Sequence, residues 1–117
     1  MPEVGRSGGT TPGRLRMAMT QVAYWRPLPG RSEDFLKICN QARKVHQRLG
    51  GEVRIFQGQL GSDAGTLAYV IDHADGAAFG QFIDKLNGDG EWQQLIATFL
   101  KDPPAEPVRS NLLQELP

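Results

Sequence analysis

The sequence predicts an α+β domain: a four-stranded antiparallel sheet, strand order 4-1-3-2, with its helices on one face. Three observations predict it. Strand-like and helix-like segments follow one another as strand, helix, two strands, interrupted helix, strand, which makes two strand–helix–strand halves. Crossovers of the usual right hand then bring all four strands into one sheet. The lengths also agree. Residues 33–49 reach about 25 Å as a helix, and eight strand residues reach about 27 Å, so the helix crosses the sheet once.

The stretch from Met17 to Trp25 reads as the first strand, rich in Val, Thr and aromatic residues and stopped by Pro27 and by Pro29-Gly30. The run that follows has helical period. Phe35, Ile38, Cys39, Ala42, Val45, His46 and Leu49 recur at steps of three and four on one stripe. Ser32 is the expected N-cap, Glu33 and Asp34 suit the positive end of the helix dipole, and Gly50-Gly51 terminates it. Two strands come next, EVRIFQGQL and TLAYVIDH, joined by the hairpin signal GSDAG. Asp75 is placed to cap a second helix with Phe79, Phe82, Ile83 and Leu86 on its apolar stripe. The turn NGDG interrupts it, and Asp89 caps a third segment carrying Trp92, Leu95, Ile96, Phe99 and Leu100. Asp102-Pro103-Pro104 stops that segment, because a residue before proline avoids the helical region. The last run, VRSNLLQEL, alternates well enough to complete the sheet.

Residues 1–14 read as a flexible tail: within the first thirteen, Val4 is the only large aliphatic among glycines, prolines, serine and threonines. The domain is expected over residues 15–117, and Met17 or Met19 is a candidate natural start. The tail has no apolar stretch of the kind a secretory signal needs, and no run in the chain approaches the ~20 apolar residues of a membrane helix. Thirteen basic and thirteen acidic residues give zero formal net charge, which argues against a nucleic-acid or anionic-membrane partner. One cysteine, Cys39, cannot form an internal disulfide, and a cytoplasmic location is expected. No phosphate-binding glycine loop, GxGxxG, HExxH or CxxC occurs, so nucleotides, zinc and thiol redox chemistry lose support. No cofactor and no metal are expected.

With this layout, the short opening strand MAMTQVAYW, the PLPG turn and the interrupted second helix, residues 15 to 117 resemble the dimeric α/β-barrel group with ferredoxin-like subunits. That group includes antibiotic-biosynthesis monooxygenases, stress-responsive barrel proteins, polyketide cyclases and NIPSNAP-like proteins. The resemblance is architectural and carries no diagnostic motif. It implies a ferredoxin-like subunit, a homodimer joined sheet to sheet, and a pocket between sheet and helices. It also implies cofactor-free cyclisation, proton transfer or oxygenation of a planar polyketide-like substrate, or else a non-catalytic ligand-binding or assembly module. The residues fit the assembly. If Val53, Ile55, Leu67, Tyr69 and Ile71 face the helices, the other face shows Arg54, Phe56, Thr66, Ala68 and Val70, which is too apolar in places to stand in water.

The two histidines are the leading catalytic candidates. His46 lies on the apolar stripe in the last turn of the first helix, where the dipole favours imidazolium. His73 ends the third strand just before the second helix, where neutral imidazole is favoured. Both belong at one edge of the sheet, which makes His73 a candidate base and His46 a candidate acid or electrostatic stabiliser. The structural alternative is a pair of boundary histidines bonded to backbone or water. Tyr69, on the same face as His73, is the third catalytic candidate, a pocket hydroxyl that orients a substrate or serves as an acid, or else a core tyrosine. Asp72 and Asp75 flank His73, yet Asp72 points to the opposite face and Asp75 is better used as a cap, so no metal triad converges. Tyr24, Trp25 and Arg109 are candidate substrate-binding residues at the other edge, an aromatic and cationic set that equally suits interface packing. Trp92 either anchors the third helix or lines the pocket, and Cys39 reads as a small buried hydrophobe.

Overall fold

Residues 17–117 are described by a computed structural model; the expected tail lies outside the described residues. The Val- and aromatic-rich opening segment forms β1 (Met19–Pro27), and the chain continues as α1 (Ser32–Arg48), β2 (Glu52–Gln57), β3 (Leu67–His73), α2 (Gly76–Asn87), α3 (Gly90–Lys101) and β4 (Ala105–Gln114). The strands form one antiparallel sheet ordered β2-β3-β1-β4, the expected order. On the central pair, Gln21 stands opposite Ile71, Ala23 opposite Tyr69 and Trp25 opposite Leu67. With period two, these residues share the face that carries the helices.

The start of α1 differs from expectation. Ser32 is the first helical residue, and Arg31 occupies the cap position without any side-chain cap bond. The preceding turn decides this. Pro29 fixes φ, Gly30 takes φ +75°, and Arg31 N–H donates to the Leu28 carbonyl at 2.9 Å, so the chain enters the helix one residue earlier. The other end follows the glycine signal. Gly50, at φ +104°, donates to the Gln47 carbonyl at 3.2 Å, and Gly51 donates to the His46 carbonyl at 2.9 Å. This is a Schellman cap, in which the last carbonyls of the helix are taken by backbone N–H groups. Gly51 is also required by packing: a Cβ there would sit 2.6 Å from a methyl of Ile71 and 3.2 Å from the Phe82 ring.

Asp75 and Asp89 cap α2 and α3 as expected, accepting from Ala78 N–H at 2.8 Å and Trp92 N–H at 2.9 Å. The β2–β3 connection is longer than the hairpin signal suggests. β2 ends at Gln57, and the loop returns through Gly58, whose backbone approaches the Asp63 carbonyl so closely that no side chain fits. β4 begins at Ala105, earlier than the alternation implies, and a bulge opposite Tyr24 and Trp25 leaves Val108 out of register. Every β4 residue after Ala105 is exposed, as suits an edge strand that the helices leave uncovered.

The core joins Phe35, Cys39 and Ala42 of α1 to Tyr69 and Ile71 of β3 and Phe82 of α2. On the opposite face of the sheet, Val22 and Val70 are buried at the centre. Around them, Thr20 donates to Asp72, Arg54 pairs with Asp72 at 2.9 Å, and Arg109 stacks on Tyr24 at 4.1 Å. Phe56 and Leu113 of this face stay about half exposed.

Candidate functional site

A cavity of about 430 Å³ lies between the helices and the helix-facing side of the sheet. Its walls are largely apolar, and among the described residues no aspartate, glutamate, lysine or arginine lines it. Trp25 and Trp92 contribute flat aromatic surface, and Trp25 is itself held by Phe35 and Phe99, each 5.6 Å away between ring centroids. The polar side chains that reach the lining include His46, Tyr69, Gln21 and Ser110. Such a lining suits a planar, uncharged, mostly apolar molecule with a few oxygens.

His46 is brought to the cavity by the helical stripe of α1, and Tyr69 by the alternation of β3. Their side chains meet: Nδ1 of His46 lies 2.7 Å from the hydroxyl of Tyr69. Among the described residues this is the only hydrogen bond of either side chain. The imidazole is 4% exposed and boxed by Phe82 and Trp92, with ring centroids 5.5 and 4.6 Å away. Burial, with a smaller contribution from His73, pushes its pKa down to about 4. This overturns the expected imidazolium. A helix C-terminus is worth at most ~2 kcal/mol to a cation, and here the last carbonyls are already capped by Gly50 and Gly51. Full burial of a histidine moves its pKa by up to roughly 3–5 units, so burial wins.

His73 does meet its partner's neighbourhood, since Phe82 packs on both imidazoles, 4.7 Å from His73. It does not line the cavity. Its Nε2 donates to the side-chain oxygen of Gln21 at 2.8 Å, and Gln21 lines the cavity in its place. Burial lowers the His73 pKa against the opposing pull of Asp72. Both histidines are therefore held neutral, and the expected acid–base polarity between them is absent.

Of the expected substrate-binding residues, Trp25 and Trp92 line the cavity, whereas Tyr24 and Arg109 do not. Tyr24 and Trp25 are consecutive on β1, so they point to opposite faces. Arg109 stacks on Tyr24 on the far side of the sheet and makes two bonds of 2.7 and 2.8 Å to Asp63. Burial pushes the Cys39 thiol up to about 12, which leaves it unreactive. Asp72 faces away and Asp75 caps α2, as read from the sequence. Among the described residues no cluster of three or more His, Cys, Asp or Glu is placed to hold a metal ion. Gln21 was the missed residue. Its signal was available: a polar side chain on the apolar period of β1, two strand positions from His73 in register.

No protein-family model and no curated protein matches the chain. Solved structures do match. A NIPSNAP family protein from Agrobacterium tumefaciens is 20% identical with a TM-score of 0.64, covering 87% of this chain and 86% of its own. A NIPSNAP-like domain protein from Burkholderia xenovorans is 17% identical at TM-score 0.61, with 86% and 84% covered. A second Burkholderia xenovorans NIPSNAP domain protein is 15% identical at TM-score 0.65, with 85% and 93% covered. These three structural neighbours are NIPSNAP proteins, and what the chain shares with them is the ferredoxin-like fold.

Proposed function

We propose that the chain is a small-molecule enzyme that takes a planar, polyketide-like substrate into the cavity and transfers a proton there without a cofactor. The observation that carries this reading is the His46–Tyr69 hydrogen bond inside an otherwise apolar cavity. Two groups able to give and accept a proton are held in contact where water is scarce, as general acid–base chemistry needs. Oxygenation and cyclisation remain within the wider chemistry of the fold, but the polar groups present favour proton transfer. The NIPSNAP neighbours support the fold and add no activity.

The expected result uses the two tryptophans, both of which line the cavity. A naphthol should quench their fluorescence on saturable binding. Benzoylacetone in deuterium oxide should exchange its central carbon-bound protons faster with the protein than without it, and His46→Gln should abolish that acceleration. A second reading is a non-catalytic binding module, favoured by the weak basicity of His46. Quenching with no acceleration by the wild type would select it.

A second copy of the chain is the proposed cover for the outer sheet face, where Phe56 and Leu113 stand exposed beside Val22 and Val70. A stable interface there buries at least ~1,200 Å². Sedimentation at micromolar concentration should give twice 12.9 kDa, and a monomer would remove the sheet-to-sheet pairing. Among the described residues no helix is long and apolar enough to cross a membrane. A cytoplasmic location is proposed from the single free thiol, and the balanced charge gives no support for a nucleic-acid partner.

A further inference from the structure

We infer that His46 and Tyr69 form a neutral relay that enolises a β-dicarbonyl substrate, with the Gln21 amide holding its second carbonyl oxygen. The inference rests on the cavity being the proton-transfer site argued above. It goes further by naming the bond that breaks and the route of each proton.

The 2.7 Å contact between Nδ1 and the Tyr69 hydroxyl has two proton arrangements. In one, Nδ1–H donates to the phenolic oxygen; Nε2 then carries a lone pair and the hydroxyl proton is free to donate into the cavity. In the other, the hydroxyl donates to Nδ1 and Nε2 carries the proton. The first arrangement is the competent one for a ketone. The proton on the substrate carbon passes to Nε2, and the C–H electron pair becomes the carbon–carbon double bond. The carbonyl π pair takes the Tyr69 hydroxyl proton, and the proton on Nδ1 moves to the phenolic oxygen. The ketone has become an enol. Both side chains end neutral, with the imidazole proton shifted from Nδ1 to Nε2, and the reverse step restores the starting arrangement.

The surroundings demand such a route. Phe82 and Trp92 enclose the imidazole and offer no countercharge, so a step that leaves imidazolium behind is disfavoured, whereas one that keeps the ring neutral is not. The phenol is likewise held protonated by burial. Gln21 supplies the remaining contact. It is a diagonal neighbour of Tyr69 on the central strand pair, about 7–8 Å away across the two strands, because Gln21 faces Ile71 and Ala23 faces Tyr69. Its oxygen is taken by His73, so its amide N–H groups are the ones left for a ligand, and among the described residues they have no partner. A carbon between two carbonyls is acidic enough for a weak base, which matches what His46 is. The tryptophans favour a planar molecule, and the lack of charged walls favours a neutral one.

The groups facing the couple are Cys39 and Arg43 on α1 and His73 on β3, while α2 and α3 present the uncharged Phe82 and Trp92. The exchange rate of benzoylacetone should therefore be flat over roughly pH 6.5 to 8, below the ionisation of the diketone itself, where an ordinary histidine acid would lose activity. Tyr69→Phe keeps the ring and removes only the relay hydroxyl. It should lower kcat for exchange at least ~100-fold, far more than it changes KM, and naphthol quenching should still saturate. Wild-type exchange that survives in Tyr69→Phe but not in His46→Gln would overturn the relay and leave proton transfer standing. Absence of both quenching and exchange in the wild type would instead remove the underlying reading. Nitrogen NMR of the wild type gives a second measure that needs no variant: His46 should be neutral at pH 7 and change tautomer when benzoylacetone binds. An imidazolium at pH 7 would overturn the relay.

Discussion

Replacing Phe82 with alanine is expected to destabilise the domain by about 3–5 kcal/mol, a large share of what a domain this size possesses. Phe82 is 1% exposed and stands at the junction of α2, the end of α1 and β3. Its ring packs on both imidazoles, and it is one of the two side chains that a Cβ at Gly51 would meet. Removing it opens a void where the surroundings are backbone turns and rings that collapse poorly. Urea unfolding should show a much lower midpoint with an unchanged slope. A loss below ~1 kcal/mol would mean that the α1–β2 turn and α2 are free to close the gap.

Acid should destabilise the protein through His46 before most carboxylates respond. Its folded pKa is about 4, against an ordinary 6.5. Below the ordinary value the unfolded chain binds a proton that the folded chain refuses, so stability is complete above pH 6.5 and falls as pH drops toward 4. The linked loss is roughly 3 kcal/mol. His73, lowered for the same reason, adds in the same direction. His46→Gln should flatten that part of the stability–pH curve, which denaturant midpoints taken between pH 7 and 4 would reveal. An unchanged curve would show that the imidazole is hydrated in the folded state.

The layout of strands and helices was legible because each element carries its own periodicity, and the Asp75 and Asp89 caps because a cap is a local device. Ser32 was misread since the Leu28–Arg31 turn, and not the side chain at the boundary, sets the entry of α1. His46 is expected beside His73, and its hydrogen bond with Tyr69 emerges only when the fold lays the α1 stripe on the alternation of β3. The charge state of His46 was not legible either, because it depends on rings contributed by α2 and α3, far away in sequence. Tyr24 and Arg109 were grouped with Trp25 by the sheet edge they share, whereas strand alternation puts them behind the sheet.

The strand order has a consequence for how the molecule is made. β1, the first strand of the domain, ends up in the interior of the sheet, between β3 and β4. During synthesis it is the earliest of the described strands to emerge, and until β3 follows both of its hydrogen-bonding edges stand empty. β3 fills one edge midway, but the other waits for β4, the last of the described elements, whose Leu112, Leu113 and Gln114 pair with Gln21, Thr20 and Met19. Such long-range pairing is slow to form, and an unfilled strand edge invites pairing with neighbouring nascent chains. Emergence of β4 from the ribosome is therefore the event that completes the sheet.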